Sequence, residues 1–308
     1  MNDAFGTAPQ AGFSVKSPSP QPSTLVLHWQ THWTSVVALV LQLVVLVWYL
    51  RSIRRLGARE RSWSPFRTAG FVAGLVVVAY AVEGGLAYYD VSNFTVSVIQ
   101  HLLLITVAPP LLAMGAPVTL ALQSSSPRTT TVLLKVFRGT TARLLTHPAV
   151  AFAGLMGTMF VFFLTPLYGF SERHPVLQAY LLLHFLLAGC LFWWPMVGKD
   201  LLPRRFGFGT RFVLVFLSVP FNAVLGLVIA GVGRPLYPAG NTLADTQSGG
   251  NVLWGLLEVF TVAALALLFV QWAREEERKA VRVDRQLDAA LAVARTSVAS
   301  PPSSTGAP

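Results

Sequence analysis

The chain is short of cysteine and of charge, and both shortages limit what it can be. Only one of its 308 residues, Cys190, is a cysteine, so no disulfide can form within the chain and no paired-cysteine metal motif exists. Charged residues make up 12% of the sequence, whereas 54% of it is hydrophobic. Soluble domains rarely have this balance, and repeated apolar runs near 20 residues predict a polytopic helical membrane protein.

Motifs for nucleotide binding and for hydrolysis are also missing. The sequence contains no P-loop, no GxGxxG, no GxSxG and no recognisable pair of nucleophile and base, so nothing in it favours an enzyme. The formal net charge is +10, but the basic residues follow the loops between apolar runs instead of forming a nucleic-acid-binding patch. We therefore expect neither a catalytic site nor a nucleic-acid partner.

Seven apolar runs predict an all-α fold, a membrane bundle of seven transmembrane helices. The runs are 34–50, 68–89, 94–122, 148–168, 176–197, 210–232 and 251–272. We expect the membrane domain to occupy 28–272. A disordered extracytoplasmic tail would precede it at 1–27, and a charged cytoplasmic helix with a disordered end would follow it at 273–308.

The basic residues predict the orientation of this bundle. Of the 23 lysines and arginines, 20 lie in 51–67, 123–147, 198–211 and the segment after 272. Loops rich in lysine and arginine stay in the cytoplasm. The sequence therefore predicts an N-terminus outside and a C-terminus in the cytoplasm, which requires an odd number of spans.

The third apolar run has two features that a plain membrane anchor lacks. His101 lies inside it, and the pair Pro109-Pro110 follows, which predicts a break or kink in the helix. Both features cost free energy in lipid, so each needs a reason.

Four ionisable side chains fall at a similar depth when the helical rise is applied to the predicted spans. Glu83, His101, His184 and Glu258 each lie about 9–12 Å from the outer end of their helix. Such groups should face the interior of the bundle and pair there. Imidazole and carboxylate are transition-metal ligands, and imidazole with thioether suits Cu(I), so we predict a metal site in the outer leaflet.

Further candidate ligands surround this layer. His28 and His32 would share one face if their segment were helical. Glu172 and His174 lie in the loop after the fourth run, and Asp90 lies in the loop after the second. The alternatives are ordinary: a packing hydrogen bond for a membrane histidine, an aromatic interfacial belt around Trp29 and Trp33, and core packing for Met159.

Four segments in order resemble the CtaG-like multi-pass cytochrome c oxidase assembly factors of caa-type oxidases. They are Gln-His-Leu-Leu-Leu with Ala-Pro-Pro-Leu-Leu-Ala-Met-Gly-Ala-Pro (100–117), Leu-Tyr-Gly to Phe-Trp-Trp-Pro (167–195), Gly-Lys-Asp-Leu-Leu-Pro-Arg-Arg (198–205) and Asp-Thr-Gln-Ser-Gly-Gly-Asn-Val-Leu-Trp (245–254). The last segment departs from the family pattern, because Ser248 stands where a second glutamine is usual.

The resemblance implies a membrane protein that helps to mature a haem-copper oxidase in the plasma membrane of a bacterium. Copper is the implied cargo and an oxidase subunit the implied partner. His101 and His184 match the family's candidate ligands, and His174 matches its loop histidine. With the depth argument, this predicts a copper site of His101, His184, Glu83, His174 and Glu258.

Two other functions remain open from the sequence. His101 and His184 could be axial ligands of a haem held between facing helices. A copper transporter would instead need ligands through the inner half of the membrane, where the sequence offers only Met114, Cys190 and Met196.

Overall fold

A computed structural model describes residues 22–29, 32–90, 92–197, 200, 206–236 and 242–299. The predicted disordered segments lie largely outside these ranges, at 1–21 and 300–308. The described residues form helices and no strands, so the all-α prediction is confirmed. The helices are α1 (Pro22–Leu27), α2 (Trp33–Gly57), α3 (Pro65–Val82), α4 (Gly85–Tyr89), α5 (Phe94–Leu102), a π-helix (Leu103–Val107), α6 (Ala108–Met114), α7 (Pro117–Ser124), α8 (Pro127–Arg138), α9 (Thr140–Leu145), α10 (Pro148–Leu164), α11 (Leu167–Ser171), α12 (Pro175–Val197), α13 (Phe208–Ala230) and α14 (Leu243–Ala299).

Six helical segments of the described chain are long and apolar enough to cross a membrane. They are Trp33–Gly57, Pro65–Tyr89, Phe94–Ser124, Pro175–Val197, Phe208–Ala230 and Leu243–Leu291. The predicted fourth span forms α10, an apolar helix of 17 residues. Its length of about 26 Å is slightly less than the roughly 30 Å of a bilayer's hydrocarbon core.

The predicted last span and the predicted charged helix are one continuous helix, α14. The chain divides within it into two compact units, Met1–Thr261 and Val262–Pro308. In the second unit Lys279 and Glu276 form an exposed ion pair at 3.1 Å. Exposed pairs of this kind stabilise a helix only slightly.

The third span is a helix in pieces, and its irregularities differ from those predicted. Pro109 and Pro110 lie at the start of α6, directly after the π-helix. A proline ring clashes with the carbonyl four residues earlier, and both of those carbonyls belong to the π-helix, whose wider turn makes room. The chain breaks later, where Ala116 adopts a left-handed φ of 47° before α7. The regular α-helix is therefore interrupted beside the proline pair, by the π-helix, and the chain breaks only later, at Ala116.

Two glycines allow α6 and the π-helix to pack closely between α3 and α12. A Cβ atom on Gly189 of α12 would lie 2.5 Å from the Ile105 carbonyl oxygen, and one on Gly74 of α3 would lie 2.9 Å from the Leu112 nitrogen. Small residues permit this kind of backbone contact between membrane helices. The third span is consequently held at the centre of its neighbours, which fixes the position of His101.

Two carboxylates that are remote in sequence, one buried and one half-buried, cap helices of the third span. Asp245 accepts hydrogen bonds from the Phe94 N–H at 2.6 Å and from the Thr95 N–H at 3.2 Å, at the start of α5. Asp200 does the same at the start of α7, accepting from the Thr119 N–H at 2.7 Å and from the Trp194 indole N–H at 3.0 Å. A negative charge at a helix N-terminus is favourable, so both acids stabilise the interrupted span.

Candidate metal-binding site

His101 lies at the end of α5, one residue before the π-helix begins. Its side chain is 5% exposed, and three phenylalanine rings surround it. The centroids of Phe162 and Phe185 lie 4.6 Å from that of the imidazole, and Phe163 lies at 5.9 Å. These rings come from α10 and α12, so the imidazole is held where three helices meet.

One hydrogen bond determines which ring nitrogen of His101 carries the proton. Nδ1 lies 2.7 Å from the carbonyl oxygen of Ser97, one helical turn earlier. A carbonyl only accepts, so Nδ1–H donates and the neutral ring keeps its lone pair on Nε2. No described residue hydrogen-bonds to Nε2. Metal-binding histidines are usually oriented in this way, with the second nitrogen donating to a carbonyl or carboxylate.

His101 lines a small cavity, which we call the His101 cavity, together with two acidic residues. Its walls also include Asp90, Tyr168, Glu172 and Gln178. The cavity measures about 10 Å³, close to the space that one water molecule requires. The structure therefore brings an imidazole and two carboxyl groups to the wall of one small cavity.

The two acidic residues of the His101 cavity are held differently. Asp90 is 4% exposed, and its Oδ2 accepts a hydrogen bond from the Gln178 amide at 2.8 Å. Burial, with a smaller contribution from the Asp90 carboxylate, raises the pKa of Glu172 to about 7. Glu172 Oε1 has no hydrogen-bond partner among the described residues. Near neutral pH this carboxyl group can therefore hold or release a proton.

The structure does not bring His184 to the side of His101. His184 Nε2 lies 2.9 Å from Thr158 Oγ1 on α10, and that hydroxyl donates to the Gly154 carbonyl at 2.7 Å. The hydroxyl's single proton is used, so Nε2–H of His184 is the donor. The next residue along α12, Phe185, takes the place against His101. A haem bridging the two histidines would need both rings to face one gap, and they contact different neighbours.

The other predicted ligands lie apart from the His101 cavity. Glu83 is 2% exposed and accepts a hydrogen bond from the Gln42 amide at 2.8 Å. His174 is exposed, and its Nδ1–H donates to the Phe170 carbonyl at 2.8 Å. Glu258 is half-buried on α14 and makes no hydrogen bond or ion pair with a described residue. Within the described ranges, no three His, Cys, Asp or Glu side chains are grouped closely enough to hold a metal ion.

The predicted helical face shared by His28 and His32 does not form. α1 ends at Leu27 and α2 begins at Trp33, so both histidines lie outside a helix. His28 packs against the Tyr88 ring with centroids 4.3 Å apart, and His32 Nδ1 lies 2.9 Å from Thr34 Oγ1. These contacts account for both side chains locally.

Sequence reasoning named Asp90 and Glu172 as nearby loop residues but did not include them in the metal site. Glu172 follows α11 and Asp90 follows α4, and both connections fold over the same end of the bundle, where they meet His101. Ser97 could have been found, because it precedes His101 by one helical turn on the same face. Gln178 had no signal beyond its place one turn into α12.

The fold and this cavity define a polytopic helical membrane protein with a buried imidazole and two carboxyl groups at one end of its bundle. Within that class, the chain belongs to the cytochrome c oxidase caa3 assembly factor family, Caa3_CtaG, whose model matches residues 47–275. The family assignment that the four segments indicated is thus confirmed.

Curated relatives come from mycobacteria. An uncharacterized protein of Mycobacterium leprae is 29% identical over 295 residues, which cover 89% of this chain and 44% of the relative. An uncharacterized protein of Mycobacterium bovis is 29% identical over 262 residues, covering 80% of this chain and 40% of the relative. The chain thus spans less than half the length of these relatives. No solved structure matches it.

Proposed function

We propose that this protein binds a copper ion in the His101 cavity and hands it to a subunit of cytochrome c oxidase during assembly of the oxidase. The protein acts as a non-enzymatic membrane factor, and copper is its cargo. Its family supplies the link to the oxidase. The binding site and the transfer are the parts that this proposal adds.

The observation that carries the proposal is the fixed tautomer of His101. Its Nδ1–H is committed to the Ser97 carbonyl, so Nε2 presents a lone pair without a protein partner. Asp90 and Glu172 line the same cavity but are not grouped with His101 closely enough to hold a metal ion as they stand, so copper binding would have to draw their oxygens toward Nε2. One imidazole with carboxylate oxygens suits Cu(II), and exchange of ligands with a recipient subunit would be easier from such a site than from a closed set of four.

The charge distribution supports transfer on the extracytoplasmic side. With α10 counted as the fourth of seven spans, the four segments rich in lysine and arginine all fall on the cytoplasmic side. The third span then enters from outside at Phe94, so His101 lies about 10 Å below its outer end. Asp90 and Glu172 belong to connections on that same outer side.

The proposal is tested in cells that depend on this protein for an active oxidase. His101→Ala should lower the copper content of the purified oxidase to the level of cells lacking the protein, because the anchoring ligand is gone. His184→Ala should leave most of the copper content unchanged, since His184 hydrogen-bonds to Thr158 and does not line the His101 cavity. Membrane levels of each variant, measured by immunoblot, control for loss of the protein. Full copper loading with His101→Ala present at normal level would refute the proposal.

A further inference from the structure

A second and much larger cavity opens between α2, α3, the third span and α12. Its volume is about 520 Å³, within the range of sites that bind small molecules. Most of its wall is aliphatic, including Leu41, Val78, Val82, Leu104, Leu182 and Leu186. We call it the Gln100 cavity, after the most deeply buried amide in its wall.

Two glutamines in this wall donate hydrogen bonds through their amide nitrogens, while their amide oxygens accept none. Gln100 is fully buried, and its Nε2 donates to the Ala81 carbonyl at 2.9 Å. Gln42 Nε2 donates to Glu83 Oε1 at 2.8 Å. The Ala81 carbonyl can only accept a hydrogen bond, so the NH₂ group of Gln100 must face it. The nitrogen and oxygen of the Gln100 amide therefore cannot be exchanged. Oε1 of Gln100 and Oε1 of Gln42 have no hydrogen-bond partner.

Buried acceptors without donors mark a place where a native structure needs an explanation, and an unseen ligand is one. The occupant that fits must donate hydrogen bonds and must otherwise be apolar. It also has to be uncharged at its head, because the described residues lining the cavity include no lysine or arginine to neutralise a phosphate. The amide and carboxyl oxygens of the wall would disfavour a phosphate further. Phospholipids, whether anionic or zwitterionic, are therefore poor candidates, because each carries a phosphate.

We infer that the Gln100 cavity binds an uncharged amphiphile whose hydroxyl groups donate to Gln100 and Gln42 while its tail lies along the aliphatic wall. A membrane hydroquinone and a monoacylglycerol each carry two hydroxyl groups and have this chemistry. Gln42 and Gln100 do not line the His101 cavity, but Asp90, Glu172 and Gln178 line both cavities, so the two sites adjoin.

Partition between nanodiscs that carry the full chain and empty nanodiscs tests this site. The ligands are reduced decylubiquinone, held under argon with dithionite, and its oxidised form. They share one tail, but only the reduced form donates hydrogen bonds. We expect the reduced form to bind at least tenfold more tightly, and Gln100→Leu to remove that preference. Monooleoylglycerol, compared with trioleoylglycerol, forms the second arm, and the tighter of the two hydroxylated ligands identifies the source.

A cavity-filling variant covers the case in which Gln100→Leu fails to fold. Ala179 lines the cavity, so Ala179→Phe should abolish the excess partition of the hydroxylated ligand. Val161→Phe is the matched control, because Val161 is 53% exposed and lies outside the cavity wall. Equal partition of hydroxylated and hydroxyl-free ligands, or binding that survives Ala179→Phe, would overturn the inference.

Discussion

Removing the carboxylate of Asp245 should destabilise the membrane bundle more than any surface charge does. Asp245 accepts three hydrogen bonds at the start of α5, from the Phe94 N–H, the Thr95 N–H and the Thr95 hydroxyl, the last at 2.7 Å. Phe94 is fully buried, so water cannot replace the lost acceptor at its N–H. A hydrogen bond to a charged group contributes roughly 1.5–3 kcal/mol, and a helix cap about 1 kcal/mol.

These contributions overlap, so we expect Asp245→Ala to lower the free energy of unfolding by about 3 kcal/mol. Asp245→Asn keeps one oxygen acceptor but loses the charge at the helix N-terminus, and should cost about 1 kcal/mol. Equilibrium unfolding in mixed micelles of mild detergent and sodium dodecyl sulfate measures both. Asp288→Ala is the control, because Asp288 is exposed on α14 and should change the free energy by less than about 0.5 kcal/mol. If Asp245→Ala matched this control, the capping role would be wrong.

Three further predictions concern packing, pH and orientation. Gly189→Ala should cost more than about 2 kcal/mol of unfolding free energy, because its Cβ would meet the backbone of the π-helix, whereas Gly157→Ala, with open space around it, should be neutral or slightly stabilising. Burial raises the pKa of Glu172 to about 7, so between about pH 4.5 and 7 the folded protein keeps a proton that the unfolded chain releases. The free energy of unfolding of the metal-free protein should therefore fall as the pH rises through this range. Glu172→Gln should remove that dependence on pH. In intact cells and a cysteine-free background, an impermeant maleimide should label Arg173→Cys and leave Glu60→Cys unlabelled; the reverse pattern would contradict the orientation.

The sequence was sufficient to predict the helical membrane fold and the importance of the third span. Apolar length identifies spans because a bilayer requires about 20 residues of helix. His101 and the proline pair stood out because each costs free energy in lipid. The family followed from four ordered segments and was confirmed by the match over 47–275.

The composition of the site could not be predicted in the same way. Depth along a helix places a side chain in a layer but does not give its direction, which turns by about 100° with each residue. His184 and Phe185 illustrate this, because they share a depth and only Phe185 contacts His101. Asp90 and Glu172 were harder still, since loop residues meet only once the helices have packed.

The function of Asp245 was also hidden from the sequence. It is visible there as an acid before the last span, but its partners at the start of α5 lie 151 and 150 residues earlier in the chain. The π-helix was equally hidden, because two consecutive prolines predict a disrupted helix without saying which turn absorbs the disruption.

Copper titration of the purified, full-length protein tests the central claim most directly. The wild-type protein should bind one copper ion in the His101 cavity, and His184→Ala should bind with the same stoichiometry and an affinity within about threefold. His101→Ala should lose that site, with affinity weakened at least a hundredfold, because the oriented imidazole is the anchoring ligand. Unchanged copper binding by His101→Ala would contradict the account.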